Sequence, residues 1–242
     1  MSERMSEQTR ALWEPRDNPA EGVWKVRRRL AAAMRLVVER LTTSDAPEDE
    51  LVIVADRLEE YAARLKGHPR RKRYDGFSEA AVADPAQAKK SMGGAHFDFS
   101  PLIGQSNPLA PPIVISSDDE GVQGDVVFGA AYEGPPGCVH GGCIAAAFDE
   151  VLGYAQTFSG QPGMTGTLET VYRAPTPLHT PLVFRSRIAE ISGRKVICKG
   201  TLHAGDQLCA EATGIFISFK PGKFLALAAG REEREKKRNP AT

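Results

Sequence analysis

The sequence predicts a protein of the α+β class, in which helices and an antiparallel sheet occupy separate parts of the chain. Three observations lead to this prediction. Two apolar stripes with helical spacing come first, one long apolar helix follows the middle of the chain, and four strand patterns separated by short turns come after it. Hydrophobic residues make up 41% of the 242 residues and charged residues 26%, which is enough apolar surface for a sizeable core.

The N-terminal part is predicted to be an arm followed by a helical hairpin. Residues 1–17 are polar and charged, and a helix-start signal of Asn, Pro and Glu at 18–21 opens a helix that runs to about Leu41. A second signal at 45–48 opens a helix that ends near Gly67. The basic cluster at 68–73 could bind a phosphate or a nucleic acid, but we interpret it as a solvated linker.

The rest of the chain is predicted to contain a connector, a strand-and-helix domain and a tail. We place the boundaries at 1–75 for the arm and hairpin, 76–112 for the Gly- and Pro-rich connector, 113–220 for the domain and 221–242 for the charged tail. The long helix is predicted at 141–158. Strands are predicted at 113–117, 124–131, 165–173, 182–191, 195–204 and 208–219.

Charge and cysteine content exclude several classes of function. Lys plus Arg equals Asp plus Glu at 31 each, which argues against a general nucleic-acid or membrane-surface role. No apolar run suits a secretion signal or a membrane span. The four cysteines lack CxxC spacing and the five histidines are dispersed, so we expect reduced thiols, a cytoplasmic location and no metal site. Serine-hydrolase and nucleotide-binding motifs are missing as well.

The stretch from Glu133 to Gln156 is where chemistry is concentrated. A loop of Pro and Gly residues leads into His140, Gly141 and Gly142, at which the apolar helix begins. The first N–H groups of a helix lack internal partners and carry the positive end of its dipole, so they suit an oxyanion or a polarised carbonyl. Asp149 follows nine positions after His140, on an apolar helix where an unused carboxylate would be costly.

The order of several motifs resembles one enzyme family. The pattern EGPPGxVHGGxIAxxxDExxG is followed by Met-Thr at 164–165, by YRAPTPL at 172–178 and by Gly-Arg-Lys at 193–195. Together they closely resemble the hotdog-fold acyl-CoA thioesterases of the PaaI-like group. The resemblance covers about 113–220 and implies a hotdog fold, an antiparallel sheet wrapped around one long helix. It also implies hydrolysis of an acyl-CoA thioester to free acid and CoA, with no cofactor.

The resemblance assigns roles to particular residues. A backbone N–H of Gly141 or Gly142 would polarise the thioester carbonyl, Asp149 would be the nucleophile or the base that activates water, and Thr165 would hold the water or the carboxylate. From its place before the helix, and not from the resemblance, we expect His140 to orient the loop by hydrogen bonding or to contact the substrate, and we favour the structural role. Some relatives have an Asn six positions before the histidine, where this chain has Gly134.

Other residues are assigned by their chemistry. Arg194, Lys195 and Arg173 could take the phosphates of coenzyme A, although solvation at turns and strand edges explains them about as well. Glu150 could act as a base in place of Asp149, and we interpret it as a solvated or structural partner.

The helix length predicts a composite site. Gly141 and Asp149 are eight residues apart, about 12 Å along a helix, whereas both must come within ~3 Å of one carbon. We therefore expect an obligate homodimer, or a dimer of dimers, in which two copies share each site. Two alternatives stay open at this point: a hotdog dehydratase or hydratase, which normally needs a close acid and histidine pair, and a non-catalytic module that binds acyl-CoA or lipid.

Overall fold

The computed structural model describes residues 22–69, 97–161 and 163–219, together with the single residues 230, 234 and 237. Two helices come first, α1 (Gly22–Thr43) and α2 (Glu48–Lys66). The start signal at 18–21, residues 70–73 of the basic cluster at 68–73, most of the connector and nearly all of the tail lie outside the described residues. Both helices agree with the prediction, and α2 begins directly after Pro47, whose backbone is extended.

The domain that follows is one helix packed on one antiparallel sheet. The helix α3 spans Gly141–Thr157. The described strands are β1 (Val114–Ser117), β2 (Val122–Val126), β3 (Gly163–Tyr172), β4 (Leu182–Ser192), β5 (Lys195–Ala204) and β6 (Gln207–Ser218). They are hydrogen-bonded in the order β1-β2-β4-β5-β6-β3, so β3 crosses from the end of α3 to an edge of the sheet beside β6. The predicted α+β class is confirmed.

The second strand differs from its prediction. It was expected at 124–131 but runs over Val122–Val126, and residues 130–132 form a 3₁₀ turn. The cause is the turn before it, where Asp118 Oδ1 accepts hydrogen bonds from the backbone N–H groups of Glu120 and Gly121 and so starts the strand early. Phe128 is fully buried, but it lies in the loop after the strand.

The core lies between α3 and the sheet. Phe148 of α3 packs edge-on against Phe184 of β4, with ring centroids 5.0 Å apart, and both are fully buried. Beneath the next turn of α3, at Leu152, the sheet carries glycines. A Cβ at Gly200 would lie 3.2 Å from Leu152 Cδ2, and one at Gly214 would lie 3.2 Å from Leu152 Cδ1. The small residues of the sheet therefore let the helix approach closely enough to fill the core.

The segment 97–112, which we call the strap, contacts α1 on one side and the domain on the other. Arg28 of α1 forms a bidentate ion pair with Asp98, at 2.7 and 2.9 Å. Arg35 donates to the carbonyl oxygens of Gln105 and Asn107. By contrast, α2 buries none of its side chains. The strap is thus held on one side by hydrogen bonds and an ion pair to α1.

Candidate active site

The start of α3 is capped by the histidine that precedes it. His140 Nδ1 accepts a hydrogen bond of 3.0 Å from the Gly142 N–H, and His140 O accepts one of 2.9 Å from the Cys143 N–H. Because Nδ1 is the acceptor, it carries no proton in this arrangement. The amide of Gly142, predicted to be open to substrate, is therefore engaged by the cap. The Gly141 N–H makes no hydrogen bond with a described residue and is the remaining donor.

The loop before the helix is tightly folded around Gly134. The Gly134 N–H donates to Cys138 O at 2.9 Å, and the His140 N–H donates to Tyr132 O at 2.8 Å. A Cβ added at Gly134 would lie 2.8 Å from His140 Cα, which is closer than real Cβ contacts. A side chain at this position would push the capping histidine away. This accounts physically for the glycine where some relatives of the predicted family have an Asn.

Two predicted site residues meet on one side of α3. Thr165, near the start of β3, donates a 2.8 Å hydrogen bond to Asp149 Oδ1. The other carboxylate oxygen, Oδ2, has no hydrogen-bond partner among the described residues. A bulge in the β3–β6 pairing lies between Thr165 and Thr167. Asp149 is therefore oriented through one oxygen, while the second can accept from water or face a substrate.

Strand β3 also reaches the start of the helix. The Tyr172 hydroxyl, at the far end of β3, donates a 2.7 Å hydrogen bond to Gly141 O. Strand and helix thus run in opposite directions, with Gly141 at one end of β3 and Asp149 at the other. Tyr172 stands in the YRAPTPL motif, but no spacing rule connects it with the helix start, and we did not predict this contact from the sequence.

Glu150 points away from the hydrogen-bonded pair of Asp149 and Thr165. Its Oε1 accepts a 2.8 Å hydrogen bond from the hydroxyl of Ser100, a fully buried residue of the strap. Burial raises the pKa of Glu150 to about 7; the Ser100 hydrogen bond lowers it and the nearby charge of Asp149 raises it. Glu150 is thus a structural partner of the strap. Ser100 lies in a stretch without periodicity, so no sequence pattern indicates its role.

The three predicted phosphate-binding residues do not meet in one chain. Arg173 follows the Tyr172 end of β3 and forms a 2.7 Å ion pair with Glu211. Arg194 and Lys195 lie at the turn between β4 and β5, with Lys195 in register with Ile217 of β6. That residue pairs in turn with Met164 of β3, so the turn lies near the Asp149 end of the strand.

Two other properties of the described residues bear on function. No group of His, Cys, Asp and Glu among them is arranged to hold a metal ion. None of the described helices is both long and apolar enough to cross a membrane.

Comparison with known proteins gives consistent matches. Residues 136–211 match the family model of the thioesterase superfamily. The chain is 38% identical over 95 residues to the acyl-coenzyme A thioesterase THEM4 of Xenopus laevis, covering 38% of this chain and 43% of that protein. With THEM4 of Mus musculus it is 37% identical over 99 residues, covering 40% and 43%. The chain thus spans less than half the length of these relatives.

One solved structure matches over nearly its whole length. It is a crystal structure of a thioesterase superfamily protein that is 32% identical to this chain. The superposition covers 82% of this chain and 96% of the other, with a TM-score of 0.69. The predicted hotdog fold is confirmed, whereas the domain bounds 113–220 stay a prediction.

Proposed function

The chain belongs to the thioesterase superfamily, and from that premise we propose that it hydrolyses an acyl-CoA thioester to the free acid and CoA. The observation that carries this proposal is the hydrogen bond from Thr165 of β3 to Asp149 of α3, the helix that begins with the open Gly141 amide. An oriented carboxylate and a backbone donor at a helix N-terminus are the two groups that acyl transfer requires. The similarity to proteins named acyl-coenzyme A thioesterase supports the choice of substrate class.

In the proposed reaction the Gly141 N–H donates to the carbonyl oxygen and stabilises the negative charge that develops there. Asp149 either attacks the carbonyl carbon, which displaces the CoA thiolate and leaves a mixed anhydride for water to hydrolyse, or takes a proton from an attacking water. The Thr165 hydroxyl fixes Asp149 through Oδ1 in both cases. Neither route needs a metal or a cofactor.

We propose that two copies of the chain share each site. In one chain Gly141 and Asp149 are separated by eight residues of the uninterrupted helix α3, about 12 Å of rise. The strand β3 is an edge strand whose residues are mostly exposed, and among the described strands it pairs only with β6. A long unpaired edge is a template for pairing with a second copy. Two antiparallel β3 strands, centred between Leu168 and Glu169, would set Thr165 of one copy opposite Tyr172 of the other.

The same symmetry would assemble the remaining candidates. Asp149 of one copy would face Gly141 of the second, because β3 carries these residues at opposite ends. Arg173 of the second copy would come to the end of β3 at which Arg194 and Lys195 of the first copy lie. The three cations would then surround one composite site and could bind the phosphates of CoA. Assembly of two such dimers is an extension of the same proposal.

The first experiment measures thiol release from acyl-CoAs of graded chain length. We expect Asp149→Asn to slow turnover by about 10³-fold, because the amide is neither a nucleophile nor a base. Binding of acyl-CoA without thiol release in the wild type would favour a non-catalytic binding module. A single turnover in H₂¹⁸O tests for the anhydride: label recovered in Asp149, with an unlabelled product, shows attack by Asp149 followed by water at the aspartyl carbon. Label in the product alone fits direct attack by water, or attack of water at the acyl carbon of the anhydride.

The second experiment tests the Gly141 donor. Gly141 is the first residue of α3, the helix position at which proline is tolerated, so Gly141→Pro removes the N–H while the helix can still form. Gly141→Ala is the matched control, because it crowds Tyr172 in the same way but keeps the donor. We expect the Pro variant to be about 10²-fold slower than the Ala variant. Equal rates would remove the Gly141 amide from the mechanism.

The third experiment tests the shared site by mixing inactive variants. When Gly141→Pro and Asp149→Asn chains are co-expressed, each mixed dimer contains one site with both intact groups, so about a quarter of wild-type activity should return. No recovery in a confirmed mixed dimer, or full activity of a sedimenting monomer, would refute a composite site. A cytoplasmic location stays a prediction from the sequence.

A further inference from the structure

Two adjacent carboxyl groups on α3 are held in different directions. Asp149 is bound by Thr165 of β3, and Glu150 is bound by Ser100 of the strap, each at 2.8 Å. Consecutive residues of a helix lie about 100° apart around its axis, so the two side chains leave α3 in different directions. The Glu150 side chain is long and flexible, and the nearby charge of Asp149 already raises its pKa. Without the contact to Ser100, the Glu150 carboxyl could therefore turn towards Asp149.

The hydrogen bonds around Ser100 direct its hydroxyl hydrogen to Glu150. It is fully buried, and its oxygen accepts hydrogen bonds from the backbone N–H groups of Leu102 and Ile103 at 3.2 and 3.3 Å. These two amides occupy the acceptor positions of the hydroxyl, so its hydrogen is directed to Glu150. The geometry leaves Ser100 no other arrangement that satisfies all three groups.

The strap is in turn fixed from outside. Asp98, two residues before Ser100, is only 4% exposed and binds Arg28 of α1 through both carboxylate oxygens. It also accepts a 2.6 Å hydrogen bond from the Ser106 hydroxyl. A serine on a free loop could follow Glu150 wherever it moved. Here Ser100 is part of a segment anchored to a different helix, so it can hold the carboxyl in place.

We propose that Ser100 is a positioning residue that holds the Glu150 carboxyl away from Asp149, and so leaves Asp149 alone to face the substrate. The proposal rests on the proposed function. It also assigns a task to the strap, for which the sequence indicates none. Loss of the Ser100 hydroxyl would leave a half-buried carboxyl without its partner, and such a group relieves the cost by turning towards another polar group or water. The adjacent polar group on the helix is Asp149.

The test is a pair of substitutions whose effects should cancel. Ser100→Ala should lower kcat about tenfold, because the freed Glu150 carboxyl competes with substrate and water for contact with the Asp149 carboxylate. KM should change less than about threefold. Glu150→Leu removes the competing group and should keep kcat within about threefold of wild type. The double variant Ser100→Ala with Glu150→Leu should recover kcat, because the carboxyl that competes with Asp149 is gone, even though the Leu102 and Ile103 N–H groups still lose the serine oxygen as acceptor.

A matched control separates positioning from general damage to the helix. The buried Ser186 hydroxyl donates a 3.0 Å hydrogen bond to Val151 O, from the sheet to the next residue of α3. Ser186→Ala removes one hydrogen bond where Ser100→Ala removes three, so it should lower the unfolding temperature by less, and it should leave kcat near wild type. An equal fall in kcat for both serine variants would overturn the proposal, and so would a double variant as slow as Ser100→Ala.

Two further outcomes are distinguishable. If Glu150→Leu abolishes turnover, Glu150 is itself the catalytic carboxylate and the positioning role is refuted. If the wild type releases no thiol from any acyl-CoA, the proposed function fails, and a crystal structure of Ser100→Ala decides the role of the serine. A Glu150 carboxyl turned onto Asp149, with the hydrogen bond between Thr165 and Asp149 broken, supports positioning, whereas an unchanged arrangement overturns it.

Discussion

Replacing Glu150 with glutamine should stabilise the protein at neutral pH and have little effect on its stability below about pH 4.5. The amide has nearly the same shape as the carboxyl group and can still accept the hydrogen bond from Ser100, but it does not titrate. Any change in the stability difference between the two proteins with pH therefore reports the ionisation of Glu150. The comparison needs no assumption about enzymatic activity.

The sign follows from proton binding in the two states. The pKa of Glu150 is raised from 4.5 to about 7 in the folded protein, mainly by burial. Between these values the folded protein keeps a proton that the unfolded chain has lost, so wild-type stability falls as pH rises through this window. At about 1.4 kcal/mol per pH unit, the glutamine variant should gain up to about 3 kcal/mol relative to wild type by pH 7.

The assay is urea denaturation of both proteins between pH 4 and pH 8. The difference in unfolding free energy should be flat below about 4.5, rise to about pH 7 and then level off. Glu59→Gln, on the exposed helix α2, removes one carboxyl from solvent and reports the effect of net charge alone. A Glu150→Gln curve parallel to that control would show that the carboxyl ionises as freely in the folded protein as in water, and would refute the reasoning.

Two other substitutions test how the site is supported. Arg28→Gln should cost about 3 kcal/mol of unfolding free energy, measured by urea denaturation, because it leaves the buried charge of Asp98 without its partner; a loss below ~1 kcal/mol would contradict this. Gly134→Ala should lower kcat about tenfold at saturating acyl-CoA, because its Cβ would displace His140. Gly137→Ala is the control: it has a positive φ but open space around it, so it should cost about 1 kcal/mol of stability and leave kcat nearly unchanged.

The central helix and the last strands could be predicted from the sequence because local signals and the core agree there. The helix was predicted at 141–158 and spans Gly141–Thr157, since the glycine pair that starts it adjoins a run of apolar residues that the core buries. The strand β5 was predicted at 195–204 and has those bounds, with turns of positive-φ glycines at Gly193 and Gly205 on both sides. Where a turn residue ends an element and the core buries one of its faces, the local signal and the tertiary packing favour the same structure.

Other features depend on contacts that no local pattern encodes. The strand β2 was misplaced because the aromatic Phe128 fits a strand pattern equally well, and only the side-chain hydrogen bonds of Asp118 decide where the strand begins. The pairing of Asp149 with Thr165 was expected from family resemblance rather than from spacing. Ser100 lies 50 positions from Glu150, in a stretch without periodicity, so its role requires the folded chain.

The rise of a helix is nevertheless a quantity that the sequence does determine, and it sets the distance between the candidate site residues on α3. An uninterrupted helix from Gly141 to Asp149 separates the donor from the acid by about 12 Å in any fold that contains it. The structure adds that β3 follows the same helix in the opposite direction and leaves its outer edge unpaired among the described strands. In the proposed pair, joined along that edge, Gly141 of one copy would face Asp149 of the other. A helix too long for one chain to form the proposed site would then let a symmetric pair form two.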